Sequence, residues 1–188
     1  MSTLKVDTIL KRTGTGTITV GQSGDTISIP SGATLNSAGT NTLTGIDNTP
    51  AFQVNAGTTA QTISHNTWTK LNLGTEEFDT DSAFASDKFT VPTGKGGKYM
   101  FGYGTSLNNL DDGEKLQIKL YKNGSEVKST QNRVIGSTAN QLYFVQATQV
   151  LVLSAADYIE LYMMHEEGSG QDTNNNYVFL YGYKLLGV

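Results

Sequence analysis

Apolar and polar residues alternate along much of this chain with a period of two, the spacing that sends successive side chains to opposite faces of a strand. The alternation is strict from Lys115 to Tyr121: Leu116, Ile118 and Leu120 point one way, Gln117, Lys119 and Tyr121 the other. Lys122-Asn123-Gly124-Ser125 follows, and its Asn-Gly pair suits a two-residue type I′ hairpin, whose central residues both need positive φ. A second pair of strands is predicted between Lys88 and Gly104. Phe89 and Val91 alternate with polar neighbours and stop at Pro92, which cannot donate to a ladder. Gly94, Gly96 and Gly97 permit positive φ before Tyr99, Phe101 and Tyr103 resume on one face. Further strands are expected over Ala51–Val54, Thr67–Leu73 and Tyr177–Leu186, and over Gln141–Leu153 as one long strand or two short ones. Phe78 and Phe84 are expected to anchor the core. Helical spacing is nearly absent, and short strands between turn residues predict an all-β sandwich.

The leading segment has its own pattern. From Gly14 to Gly45 the pairs Ile18/Val20 and Ile27/Ile29, then Leu35 and Leu43, recur between Gly/Ser/Thr-rich turns, which reads as short strands. Such rungs bury almost nothing alone, so Ile18, Val20, Ile27, Ile29 and Leu35 are expected to be covered by partner chains, making this a particle-attachment surface. Residues 2–12 mix apolar spacings and fit neither a clean strand nor a clean helix. Asp47-Asn48-Thr49-Pro50 reads as a turn. The expected division is an attachment or shaft segment at 1–47 and a head at 50–188.

In the head, F-T-x-P at Phe89–Pro92 followed by G-x-Y-x-F at Gly97–Phe101 resembles the signature of the complement and tumour-necrosis-factor jelly-roll superfamily. The opening A-F-x-V at Ala51, the hairpin L-x-K-N-G-x-x-V at Leu120, V-L-S-A-A-D-Y-I-E-L at Val152 and the closing strand around Gly182 are similar to that family's motifs, in its order. Two departures stand out: the loop from Pro92 to Gly97 is longer than usual by two residues, and Ala156 stands where glycine is usual. The resemblance implies a ten-stranded jelly-roll sandwich and a homotrimer, with Tyr99, Phe101, Tyr103, Tyr177, Tyr181 and Tyr183 around a threefold axis. The leading segment resembles the Thr/Gly-rich shafts of tailed-bacteriophage fibre and virion proteins. That implies a virion structural protein, made in the host cytoplasm, contacting other virion proteins through its N-terminal segment. Its polar loops Ser106–Glu114 and Glu166–Asn176 are then expected to meet a host cell-surface glycan or protein. Tail fibre, head fibre and capsid decoration share these features. The alternative is a secreted carbohydrate-binding or adhesive complement-type protein of a cell.

Composition narrows the chemistry. Charged residues make up 16% of the chain, against about 25% in ordinary soluble domains. A net charge of -4 gives no basic field for nucleic acid. Absence of cysteine removes disulfides and thiolate metal sites. No run reaches the roughly 20 apolar residues of a membrane helix, and the start lacks the apolar core of a secretory signal. His65 and His165 sit in no ligand spacing and no G-x-S-x-G occurs, so no catalytic residues are expected. Glu76/Glu77 and Asp79/Asp81 are carboxylate pairs by type only. Asp111, Asp112 and Glu114 around Gly113 form a candidate calcium site, because hard oxygens suit that ion, although the EF-hand spacing is missing. No other cofactor is expected.

Overall fold

The computed structural model describes residues 19–33 and 48–186. The chain divides into two units, Met1–Leu43 and Thr44–Val188. In the first, residues 19–33 hold turns at Ser23–Gly24 and Ser31–Gly32 and no strand. Gln22 N donates to Asp25 Oδ2 at 2.7 Å across the first turn. Val20, Ile27 and Ile29 are exposed. Among the described residues 19–33 the expected strands do not form, because an extended segment with no neighbour has no ladder to join. Ile18, Leu35 and residues 2–12 lie outside the described residues.

In the second unit the strands follow in chain order as β1 (Ala51–Asn55), β2 (Thr62–Ile63), β3 (Thr69–Lys70), β4 (Thr75–Asp79), β5 (Phe84–Ala85), β6 (Lys88–Thr90) and β7 (Gly97–Leu110). Then come β8 (Lys115–Lys122), β9 (Ser125–Glu126), β10 (Asn132–Ile135), β11 (Gln141–Leu153), β12 (Tyr158–His165), β13 (Gln171–Asp172) and β14 (Phe179–Lys184). A front sheet runs in the order β11-β7-β14-β1-β4, and a back sheet in the order β10-β8-β12-β6-β5, with β3 and β9 attached. Every pairing is antiparallel. This is the all-β sandwich that the strand pattern predicts, with the jelly-roll form that the resemblance implies.

The two sheets close over an aromatic stack. Phe52 of β1 lies 4.6 Å from Phe89 of β6, ring centre to ring centre, and Phe89 lies 5.9 Å from Phe101 of β7. Leu116, Ile118 and Leu120 of β8 face Ile159, Leu161 and Met163 of β12 within the same buried cluster. Asn123 and Gly124 take φ of 53° and 76°, which is the type I′ hairpin read from their identities.

Several expectations change in the folded chain. The Thr67–Leu73 strand shrinks to Thr69–Lys70, although Leu71 still donates to the Leu161 carbonyl at 2.9 Å. Phe78 is exposed, not a core anchor: a register shift between Gln53 and Val54 puts it opposite Gln53, on the outer side of the sheet. Phe84 does join the core, 5.5 Å from Phe52. Tyr177 lies in a short 3-10 turn, Asn175–Tyr177, ahead of the closing strand. Ser106–Leu110 continue β7, so the polar loop there starts at Asp111.

Gln117 and Lys119 leave the core face as expected, yet both are buried. Gln131 hydrogen-bonds across Gln117 at 2.7 Å, and the Lys119 ammonium sits 3.8 Å from the ring centre of Trp68 while pairing with Glu126. Tyr121 and Tyr162 stack alongside at 3.9 Å. The outer face of the back sheet is thus already covered by the chain's own side chains.

Candidate subunit interface

Strand β7 has two contrasting faces. Its inward residues Tyr99, Phe101 and Tyr103 are fully buried. Tyr99 donates its hydroxyl proton to the Lys95 carbonyl at 2.6 Å, and Tyr103 to the Thr130 carbonyl at 2.5 Å. Burial pushes both phenols up to about 12; Asp81 adds to the effect at Tyr99, while the Thr130 side-chain hydroxyl opposes it at Tyr103. These three residues, expected at a subunit contact, belong to the intrachain core. Their positions in β7 face the back sheet, and no surface of theirs is left to share.

The outward residues of β7 are Met100, Gly102 and Gly104, which lie opposite Tyr183, Tyr181 and Phe179 of β14. A β-carbon on Gly102 would sit 2.1 Å from Cζ of Tyr181, and one on Gly104 would sit 2.6 Å from Cε1 of Phe179. The two rings therefore rest directly on the glycine backbone, an approach that any side chain would block. Phe179 stacks on Tyr181 at 6.1 Å, and Phe144 of β11 lies 6.3 Å from Phe179 and 5.9 Å from Tyr177. An aromatic row thus crosses the outer face of the front sheet, half-buried by its own members and covered by nothing else in the described chain.

Beside this row is a trough of about 410 Å³ with Gly102 as its floor and Gln146, Thr148 and Tyr181 on its sides. Beyond it runs β11, whose thirteen residues include no charge, no proline and no glycine. Among the described residues β11 pairs only with β7. On its free edge, side chains of Asn132 and Lys122 reach the carbonyls of Gln146 and Val152. Val150 and Val152 are exposed, the latter at 69%. Strand edges in isolated proteins normally carry lysine, proline or bulges that discourage pairing, and this one has none along its middle.

Of the six aromatic residues expected here, Tyr181 and Tyr183 lie on the outer face, and Tyr177 is exposed at one end of the row. Phe144, Phe179 and Val150 complete the surface and were not foreseen. The available signal was Gly102 and Gly104 flanking Tyr103, since alternate glycines in an aromatic strand mark where a neighbour's rings must lie.

The acidic loop holds its residues in turn contacts. Asp111 Oδ1 accepts the Asn140 amide at 3.0 Å, the Asp111 amide donates to Glu167 at 2.9 Å, and Glu114 N donates to the Asp111 carbonyl at 3.2 Å. The Asp111 carboxylate serves the turn, and among the described residues no three His, Cys, Asp or Glu side chains converge. His165 is buried with Nε2 2.8 Å from the Ile63 carbonyl, whereas His65 is an exposed partner of the Glu167 carbonyl at 2.7 Å. Among the described residues no helix is long and apolar enough to cross a membrane.

No protein-family model and no curated protein sequence matches the chain. Solved structures do. The globular domain of a zebrafish complement 1qA protein superposes with a TM-score of 0.54 at 17% identity, covering 72% of this chain and 97% of that one. The Eiger TNF of S. frugiperda gives 0.52 at 12% identity over 73% and 93%, and murine APRIL 0.51 at 13% over 72% and 98%. At these identities the likeness is one of fold: nearly the whole of each neighbour is matched by the sandwich described above.

Proposed function

We propose that this chain is a non-enzymatic virion structural protein. It assembles as a homotrimer, joins its particle through residues 1–47, and presents its jelly-roll head for host-surface binding. The observation that supports the assembly is the outer face of the front sheet, where rings lie on a glycine floor and nothing in the described chain covers them. Tyrosine suits such a contact, offering apolar area together with a hydroxyl that tolerates a partly wet interface. The aromatic face and the uncharged β11 edge are different surfaces of one molecule. Their contact is therefore heterologous, and it terminates only if the rotation between copies closes into a ring. The complement-type resemblance implies closure at three. In this reading Tyr181 and Tyr183 make the central contacts, with Phe179, Phe144 and the β11 valines around them.

The virion reading draws on the leading segment. Its Thr/Gly-rich wording resembles phage attachment segments, and exposed Val20, Ile27 and Ile29 suit a strand-forming stretch whose cover comes from other chains. Tail fibre, head fibre and capsid decoration are all compatible with it. The second reading, a secreted adhesive protein of a cell, is favoured by the animal origin of the solved structures that share the fold.

Light scattering on the full chain at micromolar concentration is expected to give three chain masses, and a clean monomer overturns the assembly. Mass spectrometry of purified particles is expected to find the chain in stoichiometric amount. Its absence there removes the virion reading and leaves the secreted one, whatever the oligomeric state.

A further inference from the structure

Asn123-Gly124 is the one Asn-Gly pair in the sequence, and both residues are exposed at the tip of the β8–β9 hairpin, between the paired Lys122 and Ser125. Such a dipeptide can modify itself. The Gly124 backbone nitrogen attacks Cγ of Asn123, and the new C–N bond closes a five-membered succinimide. The Cγ–Nδ2 bond breaks, and ammonia leaves with the proton from the Gly124 nitrogen. Water then opens the ring at either carbonyl, giving aspartate or isoaspartate. Water enters and ammonia departs, so the step needs neither an oxidant nor an enzyme. Glycine favours the attack because no side chain shields its nitrogen.

The fold holds the reacting amide elsewhere. Asn123 Oδ1 accepts the Tyr158 amide at 2.9 Å, and Nδ2 donates to Asp157 Oδ1 at 2.7 Å. The Asn123 backbone N–H adds a bond to the Tyr158 carbonyl at 3.0 Å. Asp157 is fixed in its turn: its other oxygen accepts the Ser154 amide at 2.7 Å and pairs with Lys122 at 2.7 Å. Both side-chain bonds of Asn123 thus reach across to the β11–β12 turn. Ring closure directs Cγ to its own backbone and expels Nδ2, so it breaks both. Asp157 does not help the amide leave either, because an ionised carboxylate only accepts and has no proton to give.

We propose that Asn123 is a self-modification site gated by the β11–β12 turn: the closed hairpin protects the amide, and each opening exposes it to Gly124. The change runs one way. Aspartate at 123 sets a second carboxylate where Asp157 now meets an N–H donor, so repulsion replaces a hydrogen bond. Isoaspartate puts an extra main-chain methylene into a two-residue turn whose geometry closes the Lys122–Ser125 pair. A head that has opened here is marked permanently. None of Asn123, Gly124, Asp157 and Tyr158 belongs to a strand of the front sheet, so the gate does not depend on the proposed subunit contact.

The test uses the full wild-type chain, folded and in guanidinium chloride, kept at mildly alkaline pH and physiological temperature. Pepsin digestion in acid and mass spectrometry then count the amide-to-acid conversion at residue 123. Hydrogen exchange of the Tyr158 amide, which is bonded to Asn123 Oδ1, measures how often the gate opens. Conversion is expected to be about 10–100-fold slower in the folded chain, the effect of two hydrogen bonds of which one is to a carboxylate. That slowing should match the Tyr158 protection factor. Asp157→Ala is expected to recover about tenfold in rate, with unchanged assembly mass showing that the variant is folded. The converted chain, separated by its added negative charge, should exchange the Tyr158 amide faster. Equal rates in folded and denatured chains, a slowing that departs from the Tyr158 protection, or a folded rate indifferent to Asp157→Ala overturns the gate. Unaltered Tyr158 protection in the converted chain overturns the one-way step.

Discussion

Ala156 has φ of 69°, the left-handed region that L-residues other than glycine and asparagine rarely enter. Its amide donates to the Val91 carbonyl at 2.9 Å, so the turn between β11 and β12 keeps the geometry usual for glycine despite the methyl group. Ala156→Gly is therefore expected to stabilise the head by about 0.5–1 kcal/mol, the αL penalty less the extra unfolded-state entropy of glycine. Calorimetry would show a raised Tm, and a fall would mean that the alanine methyl packs usefully. Charge acts at single residues too. Lys122 first, then the Asn123 amide and the Ser154 backbone N–H, hold the Asp157 carboxyl at about 2, below its ordinary 3.8. A folded value below the unfolded one gives stability that is present above pH 3.8 and lost as pH falls toward 2. Asp157→Asn is expected to abolish that part of the acid dependence in melts taken across this window. Tyr99 and Tyr103 act in the opposite direction: raised from 10.0 to about 12, they give stability that is full below pH 10 and lost as pH climbs through 12. Tyr143 is different again, because the Ser137 hydroxyl at 3.2 Å, then Ser137 N at 2.6 Å and Thr138 N at 2.8 Å, surround its oxygen and favour the phenolate. Tyrosine absorbance should then titrate with Tyr143 early, and with Tyr99 and Tyr103 only as the fold opens. Simultaneous ionisation of all nine tyrosines in a folded sample would contradict these environments.

Two glycines on facing strands of one sheet separate folding from assembly. Gly102 of β7 lies beneath Tyr181 on the outer face, whereas a β-carbon on Gly182 of β14 would meet Phe101 at 2.7 Å and Phe52 at 3.0 Å in the core. Gly182→Ala is expected to lose about 1–3 kcal/mol of stability by overpacking, seen as a lower denaturant midpoint. Gly102→Ala instead pushes the end of a surface ring aside, so the midpoint of the isolated chain should hardly move while the mass by light scattering falls. Equal effects of the two substitutions would show that the faces have been assigned wrongly. This distinction also marks what was legible before folding. Alternation located β7 and β8, and the Asn-Gly pair located the turn from β8 to β9, because local backbone chemistry dictates both. Alternation does not say which of two faces meets the core when both carry aromatic or small residues, so Tyr99, Phe101 and Tyr103 were placed outward. Phe78 was misplaced by a bulge in pairing that no local pattern marks. Lys119 looked like a solvated strand residue because Trp68, which covers it, is remote in sequence.

For the molecule as a whole, the proposal divides labour along the chain, and truncation tests it. A chain beginning at Thr49 is expected to fold and trimerise yet fail to join particles, since among the described residues the core lies within the second unit. Normal particle occupancy by the truncated head would move the docking surface onto the sandwich itself. The edge of β11 has a further consequence, for how the protein must be made. β11 carries no charge, and although Asn132 and Lys122 take the Gln146 and Val152 carbonyls, the rest of its edge gives a newly folded copy an adhesive margin until the proposed ring is complete. Ring closure then competes with open-ended stacking of head onto head, and crowding during synthesis tilts the competition toward filaments. Gly102→Ala, which hinders closure, is accordingly expected to give thioflavin-positive filaments in concentrated solution, whereas chains carrying Val150→Lys and Val152→Lys should stay dispersed as monomers. Under the proposed assembly the number of subunits is also a solubility device: completing the ring leaves no sticky margin for the next copy to find.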